Sequence, residues 1–105
     1  MAIATDTMTL WRRVRLDEDH AGWERSHLSG VRIEHSGGSR AGRPGPSPSD
    51  ALVAYVFADA GISPRDRVEP GLSASQEPTD GSLEVTDVRR YGLGGRLHHL
   101  EVTAR

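Results

Sequence analysis

Hydrophobic and polar positions alternate most cleanly toward the C-terminus. Over Ser82–Tyr91, Leu83, Val85 and Asp87 fall on one face, with a register break before Val88. Gly92-Leu93-Gly94-Gly95 supplies a turn that tolerates positive φ. Arg96–Ala104 is the return strand. Its two faces are Leu97, His99, Glu101 and Thr103 on one side, and His98, Leu100, Val102 and Ala104 on the other. The second set is the expected core face, and the two segments together predict an antiparallel hairpin.

Upstream the pattern is less regular. Met1–Thr5 reads as a loose end, and Thr7–Val14 alternates imperfectly but is rich in β-formers, so a strand is expected there. Asp17–Gly22 is a polar turn. Trp23–His35 contains a second extended region, in which Val31 and Ile33 share one face and Gly30 marks a bulge. The apolar run Ala51–Ala58 suggests a central strand, with a short helix as the alternative. Pro64-Arg65-Asp66 and Pro70-Gly71 read as turns on either side of a very short strand at Arg67-Val68. Leu72–Gly81 is loop. Five or six short strands joined by turns indicate an all-β chain, a small antiparallel barrel or sandwich, forming one domain over residues 1–105.

Ser36–Asp50 breaks the pattern. Eleven of its fifteen residues are Gly, Pro or Ser, too little apolar surface to offset the entropy of ordering. It reads as a long flexible loop whose second half Pro44, Pro46 and Pro48 stiffen toward polyproline geometry. Arg40 and Arg43 are placed to meet acidic groups or DNA phosphates in an assembly. An inert linker is the alternative.

Composition changes the picture in one respect. Apolar residues make up 35% of the chain and aromatic residues 5%, a thin basis for a free-standing core that partner subunits would supplement. There is no cysteine, which excludes disulfides and thiolate metal sites. No segment approaches the ~20 apolar residues of a membrane span, and the opening residues lack a signal-peptide pattern. All thirteen cationic side chains are arginine, which codon bias in a GC-rich genome or selection for bidentate contacts would each explain. The net charge of −2 and the scatter of these arginines argue against a dedicated DNA-binding surface.

Tests for chemistry come out negative. His98 and His99 are adjacent on a strand and so are expected on opposite faces, where they do not chelate together. His20, His27 and His35 lie on different local elements. Asp17-Glu18-Asp19 lacks the further oxygen ligands of a calcium loop. The glycines at 92, 94 and 95 precede a strand, whereas a phosphate loop opens a helix. No nucleophile elbow is present. No catalytic residue, metal ligand or cofactor is therefore expected, and the chain reads as part of an assembly.

The order of segments "TLWRRV", "LSGVRIE", "ALVAYVFADA", "SPRDRVEPG" and "LEVTDVRRYGLGGRLHHLEVTAR" resembles small proteins encoded among the head–neck genes of tailed phages of Gram-positive hosts. In these a strand-like opening is followed by an apolar-Gly-Val segment. A Gly-Asp turn and a closing strand pair then end on a Gly-Gly…His-His pattern. Arg65 stands here where that turn has glycine. The resemblance implies a head-completion or head-to-tail connector (stopper) protein. Such a protein is a small β-barrel in a homo-oligomeric ring of the virion neck, made in the host cytoplasm, that closes the portal channel after DNA packaging. It implies as partners other copies of the chain, portal or adaptor proteins above, tail terminator or tail tube proteins below, and non-specific contact with packaged DNA. No membrane is involved. A tail terminator, another tail or capsid component, and a small non-enzymatic β-barrel adaptor are the alternatives.

Overall fold

The computed structural model describes residues 5–36 and 51–105. These residues are all-β. Six strands follow in chain order: β1 (Asp6–Arg15), β2 (Ala21–Ser36), β3 (Ala51–Val56), β4 (Arg67–Pro70), β5 (Leu83–Leu93) and β6 (Arg96–Ala104). They close into an antiparallel barrel in the order β1-β2-β3-β6-β5-β4. The expected strands are all present, although β1, β2, β4 and β5 are longer than expected and β3 ends at Val56, before Ala58. The apolar run at 51–56 is a strand and not a helix. The hairpin of β5 with β6 turns on Gly94 and Gly95 alone, with φ of +62° and +81°. Two successive positive φ values suit a two-residue turn whose twist matches the flanking strands.

Closure depends on β2, which serves two neighbours. Its first part pairs with β1 and its last part, from Arg32, pairs with β3. The corner is at Gly30, which has a φ of +66° and lies between the pairs Thr7↔Ser29 and Asp6↔Val31 without a partner of its own. This is the bulge expected from the glycine, and it redirects the strand. The Asp6 carboxylate accepts the Ile33 N–H at 2.9 Å just past the bend.

One face of each strand points inward. Met8, Leu10, Val31, Leu52, Ala54, Val56, Ile62, Val68, Val85, Leu100, Val102 and Ala104 form the buried cluster. Leu100, Val102 and Ala104 fill the core as the alternation of β6 requires. On β5 the register slips between Val85 and Asp87, slightly earlier than expected, so Asp87 is exposed and does not share the face of Val85.

The imperfect alternation of β1 has a physical cause: Met8, Thr9, Leu10 and Trp11 are all fully buried. Met8 and Leu10 face the barrel interior. The segment 71–75, part of the expected loop, crosses the outside and covers the other face. The Thr9 hydroxyl donates to the Gly71 carbonyl at 2.8 Å and accepts from the Ser73 N–H at 2.8 Å. The Trp11 indole N–H donates to the Ser75 carbonyl at 3.0 Å. From β2, Arg25 donates to the Ala74 carbonyl and the His27 ring bonds the Ser73 carbonyl at 2.7 Å. Among the described residues, no buried side-chain nitrogen or oxygen of this strap contact lacks a partner, as burial demands.

Candidate functional site

The outer face of β3, β6 and β5 carries the feature that stands apart from the rest of the surface. Across it runs a row set by register: Arg32 of β2 opposite Tyr55 of β3, Tyr55 opposite Glu101 of β6, and Glu101 opposite Arg89 of β5. The Arg32 guanidinium lies 5.7 Å from the Tyr55 ring centre and donates to Glu34 at 2.6 Å. Burial, together with the charges of Glu34 and Glu101, pushes the Tyr55 phenol above its ordinary pKa.

Beyond this row a second bulge changes the face. Tyr91 pairs with His99 and Gly92 pairs with Leu97, so His98 has no residue across from it. The extra residue breaks the alternation of β6. Leu97 packs against the core, Leu100 is buried, and the two histidines between them both turn outward. This corrects two expectations. His98 does not share the core face with Leu100 but is exposed, and the two histidines do not point to opposite sides. Their rings lie 5.0 Å apart at 79°, and the two Nδ1 atoms are hydrogen-bonded at 2.8 Å. One Nδ1 donates and the other accepts.

Aromatic rings enclose the pair. Tyr91 stacks on His99 with centres 4.8 Å apart and planes at 13°. Phe57, one residue past the end of β3, sits 6.3 Å from His98 and 6.0 Å from His99. Tyr55 lies 6.0 Å from His99. Phe57 and Tyr91 remain 48% and 40% exposed, which makes this a patch of open aromatic surface and not an extension of the core. At its margin Arg90 pairs with Asp59 at 3.3 Å and Arg89 with Asp87 at 3.0 Å. The hydrogen bond from Arg90 holds the Asp59 carboxyl below the usual aspartate range.

The other residues singled out in the sequence do not join this face. His20 bonds Asp17 at 2.8 Å within its own turn, and His27 is held by the strap. Asp17 caps its turn: its Oδ1 accepts the N–H groups of Asp19 and His20, and its Oδ2 meets the His20 ring at 2.9 Å. Among the described residues no three or more His, Asp or Glu side chains gather in a metal-binding arrangement. Arg40, Arg43, Pro44, Pro46 and Pro48 lie outside the described residues. The aromatic residues of the patch were not marked by any motif. Their only common signal is that Tyr55 and Phe57 alternate with buried Ala54 and Val56, which puts them outward on an otherwise apolar strand.

Comparison with known proteins finds no family model, no curated protein and no solved structure that matches this chain.

Proposed function

We propose that this chain is a non-enzymatic structural subunit of a tailed-phage neck, a head-to-tail connector or stopper that assembles in a ring beneath the portal and joins the tail. The open aromatic patch of Phe57, Tyr91, His98 and His99 is the observation that carries the reading. A closed barrel leaves its strands paired around the circle, so assembly proceeds through side-chain faces and not by adding a strand at an edge. Aromatic side chains are the residues that anchor such interfaces. The segment order and the closing Gly-Gly…His-His hairpin supply the phage assignment, and the barrel matches what that resemblance implies.

The test is to remove the gene from the phage that carries it and restore it as wild type or as Phe57→Ser/Tyr91→Ser. The reading expects filled heads that lose their DNA and lack tails in the deletion, rescue by wild type, and no rescue by the patch variant. Stable filled heads with tails of irregular length would indicate a tail terminator instead. Normal infectious particles without the chain would refute a role in the virion.

A further inference from the structure

We propose that His98 and His99 form a two-imidazole binding site for a divalent ion of square-planar or tetragonal preference, Cu(II) or Ni(II). The bulge at His98 makes the site. Without it, neighbouring residues of a strand point to opposite faces. With it, both rings stand on one face and their Nδ1 atoms come to 2.8 Å.

The two nitrogens are already as close together as neighbouring ligands of one ion. Two nitrogens at ~2.0 Å from a metal and at right angles to one another lie ~2.8 Å apart, whereas tetrahedral ligation spreads them to ~3.3 Å. Imidazole suits copper and nickel, and right-angled positions are those of a tetragonal ion. The pair now shares one proton between its Nδ1 atoms. An ion takes the place of that proton, which passes through solvent to Nε2 of the same ring, so that both rings ligate as neutral imidazoles. Rotation of both rings about their Cβ–Cγ bonds, a soft torsion, turns the two lone pairs toward a common point.

Aromatic neighbours flank the two rings. Tyr91 stacks flat on His99, and Phe57 packs edge-on against His98 at 74°. His98 is exposed, so an ion reaches the pair from solvent and keeps water in its remaining positions.

The test uses the full chain titrated with Cu(II), Ni(II) and Zn(II) chlorides by calorimetry, with electron paramagnetic resonance of the copper form. The proposal expects one copper per chain, a tetragonal signal with two nitrogen ligands, and nickel bound more tightly than zinc. His98→Gln and His99→Gln should each weaken copper at least tenfold, while His20→Gln leaves it unchanged. Far-UV circular dichroism confirms that the variants fold, and the two-nitrogen signal of the wild type needs no variant at all. Unchanged copper affinity in either substitution, a signal with a single nitrogen, or zinc preferred over nickel would overturn it.

Discussion

The Asp66 carboxylate accepts the backbone N–H of Arg13 at 2.9 Å, a residue 53 positions earlier in the chain, while its second oxygen accepts the Ser63 N–H at 2.9 Å. The pairing of β1 with β4 runs from Met8↔Pro70 to Trp11↔Arg67. Asp66 continues the ladder with a side chain where β4 has no more backbone to offer. Its own carbonyl accepts the Val85 N–H at 2.7 Å, which ties β5 to the same point. Asp66 is buried, and the N–H groups it satisfies would lack partners without it. Asp66→Ala is therefore expected to destabilise the barrel by about 3–6 kcal/mol, since each of its two side-chain bonds to a charged acceptor contributes ~1.5–3 kcal/mol. Denaturant unfolding checks this, and a loss below about 0.5 kcal/mol would show that the seam closes without it.

Arg65, next to Asp66, has a φ of +81° and donates its N–H to the Val85 carbonyl at 2.8 Å. This is a conformation that glycine adopts freely and other residues rarely do. A side chain there costs roughly 1–2 kcal/mol, partly offset by the larger entropy glycine loses on folding. Arg65→Gly is expected to raise stability by about 1 kcal/mol with an unchanged denaturant slope. A lower unfolding midpoint would mean that the Arg65 side chain contributes more than its backbone costs.

Leu100 of β6 lies opposite Val56 of β3 and Arg90 of β5 in the buried core, and is 1% exposed. Leu100→Ala should cost about 2–5 kcal/mol through lost burial and the cavity left behind. A change within experimental error would contradict its place in the core.

Asp17 shapes the turn between β1 and β2. It accepts the N–H groups of Asp19 at 2.9 Å and His20 at 2.8 Å, and meets the His20 ring at 2.8 Å. The His20 hydrogen bond is the main cause that holds its carboxyl below the usual aspartate range. A depressed folded-state value means the support is complete above the ordinary pKa of about 3.9 and is lost as pH falls through the lower value. The amide resonances of Asp19 and His20 should therefore titrate together with a midpoint below about 3.9. Asp17→Asn should remove the transition. A midpoint at or above the ordinary value would contradict the cap.

The fold was legible where one physical requirement acted alone. The alternation Leu100–Val102–Ala104, the glycine corner at Gly30 and the Gly94-Gly95 turn each followed from period or from φ. The patch was less legible because a bulge made of histidine leaves no such mark. Shifting the face of two residues took an unpaired His98, and nothing in the residue type announces a residue without a partner. Thr9 and Trp11 blurred β1 for a related reason: burial on both faces erases alternation, and the strap that buries them lies more than sixty positions downstream. Asp66 read as an ordinary turn residue, since its acceptor role depends on Arg13 being brought beside it by closure of the barrel.

If the chain is the neck subunit proposed above, a reconstruction of the head–tail junction of a tailed phage that encodes it tests the central claim most directly. The account predicts a ring of six-stranded barrels beneath the portal, with Phe57, Tyr91, His98 and His99 covered by a neighbouring subunit or by the tail. A junction built without this barrel, or a ring in which that face stays open to solvent, would contradict it.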